Sequence, residues 1–507
     1  MSNKDLNKAQ KAQNVISPTR AEDFAGWYQE VVKQAEIAEM AHVRGCMVIR
    51  PWGYAIWTRL RDKLAYEIES RGHENVYFPL FIPLSYLQKE ADHVEGFAKE
   101  MAVVTHHRLE QKDGVLVPAA PLEEPVVVRP TSEAIIGESM AKWIQSHRDL
   151  PMMLNQWANV VRWELRPRIL LRTTEFLWQE GHTAHATEEE AMAETLNIHD
   201  MYRFVAEDWL AIPIIQGEKS PTERFPGAVK TFSIEAMMQD GKAVQAGTSH
   251  FLGQNFSKSA NIAFLDEKSV RQFVYTTSWG VSTRLLGALV LSHADDDGLC
   301  VPPRMAPHQI VITPIVRGDN EADIATMKYV GDLASALRST TDATGQPLRV
   351  FVDSRPRRPI DKKWQWIKKG VPLLLEVGAR DVERNVVTYR NRLDHKQILE
   401  LTFDDFVARA GMELNMIQEA MLLRARRRLE AGVRRDILTK SEAEAFFAAE
   451  SVGFVLAKWC GLSECETALK NVGATIRCLP QEWHTEADRC LVCGSPSTID
   501  ALWGLSY

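Results

Sequence analysis

The densest chemistry in the sequence lies between residues 162 and 186, RWELRPRILLRTTEFLWQEGHTAHA, where arginines, carboxylates, aromatic rings and histidines crowd together. Guanidinium forks clamp phosphate or carboxylate oxygens in bidentate fashion, an aromatic ring stacks on a purine, and a buried carboxylate accepts from an ammonium. Such an inventory suits a nucleoside triphosphate and a small zwitterion held side by side. A two-residue period arranges it. Residues 159–166 put Val161, Trp163 and Leu165 on one side of a strand and Arg162, Glu164 and Arg166 on the other. Past Pro167 the period returns, so that Arg172, Thr174, Phe176, Trp178, Glu180 and His182 share one face of a second strand and Thr173 falls on the other. An amphipathic hairpin with its charged face in water has the same pattern, so this segment alone leaves both readings open.

Three further groups could join it. Arg129-Pro130-Thr131-Ser132-Glu133 reads as a loop entering a helix, with Thr131 or Ser132 as cap and Glu133 in the first turn; the same hydroxyl and carboxylate could hold a ligand amine. Gln245-Ala246-Gly247-Thr248-Ser249-His250 combines close backbone approach with neutral donors and acceptors. Arg284 falls in the first turn of a helix, where the dipole disfavours a cation, and so invites an anion or a stacked base. Far away, Cys460-x4-Cys465, a gap of 24 residues and Cys490-x2-Cys493 give four thiolates at two short spacings, which satisfies tetrahedral structural zinc. Cys478 stands outside that spacing and reads as a small buried hydrophobe.

The elements that must position these groups follow from the rest of the chain. With 507 residues and 45% apolar content, several domains are expected. A net charge of only −7 confines any nucleic-acid surface to a local patch. No span is apolar and long enough for a membrane helix, and the polar first residues lack a signal-peptide core, so a soluble, cytoplasmic protein is expected. Residues 1–20 read as a flexible lead-in and 23–40 as a helix. A second helix opens at Gly53 with an apolar stripe of Ile56, Trp57, Leu60, Leu64 and Ile68. Residues 76–83 carry Pro79 inside a strand, which fits an edge or a subunit interface. Helix 188–210, strands over 214–245, strand 273–279 and a helix after Gly280 complete the first unit.

Past Pro307 the texture becomes strand and helix in alternation, at 309–315, 322–337, 348–352, 362–369, 371–377 and 386–389, which argues for a small α/β domain. Arg355, Arg357, Arg358, Lys362, Lys363, Lys368 and Lys369, interleaved with Trp364 and Trp366, resemble a surface for single-stranded RNA, or else a hydrated helix face. A helix over 411–435 bears Arg424, Arg426, Arg427 and Arg428 outside its apolar stripe, either along phosphates or in water.

The segments 53–83, 162–186 and 280–304 resemble motifs 1, 2 and 3 of the class II aminoacyl-tRNA synthetases. Arg-Pro-Thr-Ser-Glu at 129–133, RTTEFLWQEGHTAHA at 172–186, GTSHFLGQNFSK at 247–258 and SWGVSTR at 278–284 are similar to the prolyl-tRNA synthetases of the archaeal and eukaryotic type, over nearly the whole chain. The resemblance implies an α+β chain: an antiparallel-sheet catalytic domain over 21–306, an α/β anticodon-binding domain over 307–405 and an α/β zinc-binding domain over 406–507. It implies a ligase that activates L-proline with ATP and magnesium and transfers it to tRNA(Pro), working as a homodimer through motif 1. Thr131, Glu133 and Arg162 would bind proline with His250 nearby, Trp178, Glu180 and His182 lining the pocket. Arg162, Glu164, Arg172, Thr173, Gln245, Thr248, Ser282 and Arg284 would bind ATP, with Phe176 stacked on adenine and Arg284 across it. Arg162 and Arg284 would be catalytic, Glu235 is a candidate magnesium ligand, and Glu376 and Arg380 in GVPLLLEVGARD would read anticodon bases. In relatives the terminal residue, here Tyr507, turns toward the active site. The stretch from His185 to Gln245 is too short for the editing insertion of bacterial-type relatives, and no cysteine between Cys46 and Cys300 can supply the pocket zinc of threonyl-type ones. A catalytically silent, RNA-binding synthetase-like protein and a synthetase for another amino acid are the competing readings.

Overall fold

The computed structural model describes residues 15–89, 100–318, 320–449 and 453–507. The lead-in expected over 1–20 lies outside these residues up to 14; from there the chain is packed, with Ile16 fully buried and its N–H donating to the Asp296 carbonyl at 2.7 Å. Helix Phe24–Gln34 is capped by Asp23, whose carboxylate accepts from Gly26 N at 3.0 Å. It stops well short of residue 40, because Glu36 takes a left-handed φ of 57° and Ala38–Met40 forms a strand.

Helix Pro51–Glu69 starts with proline at its first position, where no N–H is needed. Gly53 lies so close to the backbone just before strand Ala38–Met40 that a Cβ there would come within 2.2 Å of the Ile37 carbonyl oxygen. The stripe Ile56, Trp57, Leu60, Leu64 and Ile68 is buried throughout, each side chain contributing about 1.5–3 kcal/mol over exposure. The strand expected over 76–83 is corrected: residues 76–80, Pro79 among them, lie in no strand, between Glu74–Asn75, parallel to residues 154–155, and Phe81–Pro83, the edge of a three-stranded sheet with Ala102–Lys112 and Val115–Val128.

Eleven strands form one sheet, in the order Val433–Arg434, Phe454–Trp459, Ile499–Gly504, Thr475–Pro480, Ile215–Glu218, Lys230–Met237, Ala243–Gly253, Tyr275–Ser282, Glu175–His185, Met152–Val161 and Glu74–Asn75. Its right half is the antiparallel catalytic sheet. Its left half belongs to the C-terminal region, and Leu479 and Pro480 pair with Glu218 and Gly217 to join the two. Helix Glu188–Phe204 opens with a capping box between Thr187 and Glu190 and runs on through a wider turn, Val205–Trp209; helix Arg284–His293 buries every residue after its first. A separate five-stranded sheet, Val350–Val352, Ile310–Ile315, Leu373–Gly378, Val386–Asn391 and Leu399–Thr402, is parallel at its first pairings and antiparallel at its last, with helices Glu321–Arg338 and Pro359–Lys368.

Two expectations about basic segments are corrected. Trp366 is buried against Trp52, His308 and Phe351; Lys362 donates to the Asp353 carbonyl, Lys369 pairs with Glu36 at 2.7 Å, and Arg355 grips Asp353 through two nitrogens. This helix seats one domain on another, so most of its cations already have carboxylate or carbonyl partners. The arginine-rich helix is longer than expected, Phe403–Gly432, and while Arg427 is exposed, Arg424, Arg426 and Arg428 reach protein partners. Arg424 and Arg428 donate to the carbonyls of His293 and Ser292, at the C-terminal end of helix Arg284–His293, and Arg426 lies 3.7 Å from Glu207.

Candidate active site

The strand expected over 159–166 runs instead over Met152–Val161, and its partner begins at Glu175 rather than Arg172. Arg162 through Thr174 therefore form a loop, and alternation does not govern them. Trp163 and Leu165 are 48% and 75% exposed rather than on a buried face. Thr174 turns away to Arg44 and Gly45, while Thr173, expected on the wrong side, faces the site. Beyond Glu175 the period holds: Phe176, Trp178, Glu180 and His182 share one face. Gly181, between the last two, lets the Trp279 ring approach within 2.1 Å of where a Cβ would stand.

Two cavities result. The first, about 190 Å³, is lined by Thr131, Glu133, Arg162, Trp178, Glu180, His182, Gln245, Thr248 and His250, with Lys219, Glu223, Arg224, Phe225 and Thr231 forming a wall that sequence reasoning missed. The second, about 160 Å³, is lined by Arg162, Glu164, Leu170, Leu171, Arg172, Thr173, Phe176, Ser282 and Arg284, together with Glu100. Arg162 alone, among the described residues, lines both. Gln245 and Thr248, grouped with the nucleotide set by sequence, open on the first cavity.

Within the first cavity the polar groups are held by one another. Thr131 donates to the Glu133 carboxylate. Helix Glu133–Trp143 has no side-chain cap, because the Ser132 hydroxyl donates to Glu180 at 2.5 Å instead, joined there by Gln156 Nε2 at 2.8 Å. His182 Nε2 lies 3.0 Å from the other Glu180 oxygen. Burial pushes the Glu180 carboxyl up, but His182, Ser132 and Gln156 outweigh it and hold it below the usual carboxylate range. His182 is the mirror case: burial lowers it, yet Glu180 and the nearby Glu133 raise it above the usual imidazole value. His250 is buried beside Arg162 and His182, which pulls it down to about 3 and keeps it neutral, its Nδ1 3.0 Å from the Thr231 hydroxyl.

In the second cavity Arg162 lies over the rings of Phe176 and Trp178, at 5.7 and 5.3 Å from their centroids, and its Nε donates to the Pro130 carbonyl at 3.0 Å. Arg172 donates to Glu164 at 3.0 Å. Arg284 donates to the carbonyls of Leu171 and Gln245 and is pulled down to about 10 by burial and by the charges of Arg162 and Arg172. A buried Arg284 held down by two neighbouring guanidiniums in a shared space creates a strong demand for an anion.

Glu235 does not suit a magnesium ion. It is fully buried, with Lys219 at 3.3 Å and Arg477 at 3.2 Å, so its charge is already met. Tyr507 comes back to the catalytic sheet, its N–H donating to the Ala243 carbonyl and its hydroxyl to Asp240 at 2.7 Å, with Arg168 of the loop 5.5 Å from its ring. Glu376 is half-buried and paired with Arg390 at 2.8 Å and Lys363 at 3.5 Å, whereas Arg380 is exposed. The sulfurs of Cys460, Cys465, Cys490 and Cys493 lie within 4.8 Å of one another, and those of Cys460 and Cys493 are 3.7 Å apart. A zinc ion bonded at about 2.3 Å would hold tetrahedral thiolates about 3.8 Å apart, so the donor set fits. Cys478 is fully buried elsewhere.

Against known proteins, three family descriptions match the chain: tRNA synthetase class II core domain (G, H, P, S and T) at residues 118–293, anticodon binding domain at 309–410, and prolyl-tRNA synthetase, C-terminal, at 443–507. Proline--tRNA ligases of Protochlamydia amoebophila and Paramagnetospirillum magneticum are 52% and 53% identical to it, covering 98% and 99% of this chain and 99% and 100% of theirs. A crystal structure of prolyl-tRNA synthetase from Cryptosporidium parvum complexed with L-proline and AMP superposes with a TM-score of 0.87 at 34% identity, covering 97% of each chain.

Proposed function

The chain belongs to the class II prolyl-tRNA synthetases, the proline–tRNA ligases, and from that premise we propose how its two cavities divide the reaction. L-Proline occupies the first, its imino nitrogen against Thr131 and Glu133, its ring among Trp178, Glu180, His182 and His250, and its carboxylate toward Arg162. ATP occupies the second, with adenine on Phe176, Arg284 across it, and Glu164, Arg172, Thr173 and Ser282 along its length; Gln245 and Thr248 reach it from the proline side. Arg162 carries the argument, because the residue that lines both cavities stands where a carboxylate and an α-phosphate would meet.

The proline carboxylate attacks the α-phosphorus and pyrophosphate leaves; the terminal ribose hydroxyl of tRNA(Pro) then attacks the mixed anhydride and AMP leaves. Positioning and charge neutralisation accelerate both steps, with Arg162 and Arg284 as the catalytic cations. Magnesium arriving with ATP would further neutralise the phosphates, and Glu100 and Glu164 are the cavity carboxylates that would hold it, Glu164 by exchanging its bond to Arg172. Zinc on Cys460, Cys465, Cys490 and Cys493 is structural, since four protein ligands leave no open position.

The finer assignments rest on separate supports. Archaeal and eukaryotic type is favoured because residues 186–244 form one long helix with its terminal turn, a single short helical turn at Pro221–Glu223 and strands of the catalytic sheet, without an inserted unit. Domains over 21–306, 307–405 and 406–507 agree with the change of sheet near 307, although helix Phe403–Gly432 spans the last division. Homodimerisation is favoured by exposed Tyr77, Phe81 and Trp143 around the motif 1 strand. tRNA(Pro) presents its anticodon near Arg380, and Glu376 meets it only where its ion pairs open. No helix among the described residues is long and apolar enough to cross a membrane, and no disulfide joins the seven cysteines, in keeping with the cytoplasm.

ATP–pyrophosphate exchange across the twenty amino acids tests the assignment. Exchange driven by proline is expected. Exchange driven instead by threonine or glycine would overturn the substrate, and none at all would leave an RNA-binding protein.

A further inference from the structure

The wall of the first cavity formed by Lys219, Glu223, Arg224 and Phe225 lies between strands Ile215–Glu218 and Lys230–Met237, where the catalytic and C-terminal halves of the large sheet meet. Phe225 stacks on His250 with ring centroids 4.6 Å apart, so a shift of this wall moves the pocket itself. Two buried links fasten it from the C-terminal side. In the first, Lys219 Nζ donates to the Arg477 carbonyl at 2.6 Å and to Glu235 at 3.3 Å, while Arg477 reaches the other Glu235 oxygen through Nε at 3.3 Å and a terminal nitrogen at 3.2 Å. In the second, the Thr222 hydroxyl donates to Glu466, a carboxylate only 2% exposed whose other oxygen has no hydrogen-bond partner among the described residues. Burying a carboxylate for a single acceptor bond is costly, and it is not what stability alone would select.

We propose that the C-terminal domain shapes the amino-acid cavity through these links, and that Lys219, Thr222, Glu235, Glu466 and Arg477 are positioning residues for the amino acid and not for the nucleotide. None need touch the substrate's reacting atoms. The links act on one wall of the first cavity and make no hydrogen bond to a residue lining the second; Glu235 and Arg477 reach Arg284 only through their charges, which act on it with opposite sign. The inference rests on the proline-ligase reading, which proline-driven exchange by the unaltered chain checks first.

The test is exchange kinetics on the full chain carrying Thr222→Val, Glu466→Gln or Arg477→Lys. KM for proline should rise about three- to tenfold, the loss expected for one bond to a charged group, with kcat and KM for ATP within about twofold. Thr222→Ser should restore the wild-type value. Proline titrated without ATP and followed by tryptophan fluorescence, Trp178 lying in the cavity, should show the same factor in Kd. An unchanged KM for proline with a lowered melting temperature would reduce the links to structural ties and overturn the proposal, as would equal rises in KM for proline and ATP. Should the unaltered chain show no proline-driven exchange, the parent reading falls and takes this one with it.

Discussion

Arg162 is the side chain on which both cavities depend, and its planar fork is not interchangeable with an ammonium. Arg162→Lys should lower the rate of proline-dependent exchange by about 10² to 10³, the usual loss for one preorganised donor at developing charge, as pre-steady-state exchange would measure. His250 offers a second test. Its pKa of about 3 lies below the ordinary 6.5 because it is buried beside Arg162 and His182. Between those values the unfolded chain takes up a proton that the folded chain refuses, so stability falls as pH falls from 6.5 toward 3. His250→Asn removes that uptake and should flatten the fall by up to about 1.4 kcal/mol per pH unit, read as the wild-type-minus-variant difference in denaturant unfolding at pH 4 to 6.5. Phe176, Trp178, Glu180 and His182 were legible because functional groups recur on one strand face, and the loop residues Arg162, Glu164, Arg172 and Thr173 through the family resemblance. The wall of Lys219, Glu223, Arg224, Phe225 and Thr231 and the bond from Gln156 to Glu180 were not. Gln156 lies opposite Glu180 on a strand whose start was misplaced by seven residues, at 159 instead of Met152, and nothing local marks Phe225 as the partner of His250.

At the scale of elements, charge left open between solvent and RNA is in good part used inside the fold, by carboxylates and carbonyls around helix Pro359–Lys368 and at one helix end along helix Phe403–Gly432. Arg424 and Arg428 satisfy carbonyls at the C-terminus of helix Arg284–His293, which carries Arg284 at its other end. Replacing Arg428 by Met should cost about 1–2 kcal/mol of stability, measured by chemical denaturation. The salt dependence of tRNA binding should keep its slope, whereas a residue on a phosphate would reduce it by about one. Apolar periodicity, by contrast, located the stripe of helix Pro51–Glu69 residue for residue, because burial of one face leaves a trace every three or four positions.

At the scale of the whole molecule, three textures of sequence correspond to three matched families, yet the joining of the first and third into one sheet left no local signal. Leu479 pairs with Glu218 across 261 positions, a separation that no pattern within a strand encodes. The cysteine spacing did announce its cluster. Metal analysis of the purified chain should find about one zinc per molecule, lost together with cooperative unfolding in Cys460→Ser combined with Cys465→Ser; a metal-free, fully folded preparation would refute it. The shared sheet also bears on how the protein is made. When Ile215–Glu218 leaves the ribosome its neighbour has not been translated, and at about 5–20 residues per second the bare edge waits some tens of seconds. A nascent catalytic domain with an unpaired strand is open to intermolecular pairing until the last strands arrive, an exposure written into the order of its strands.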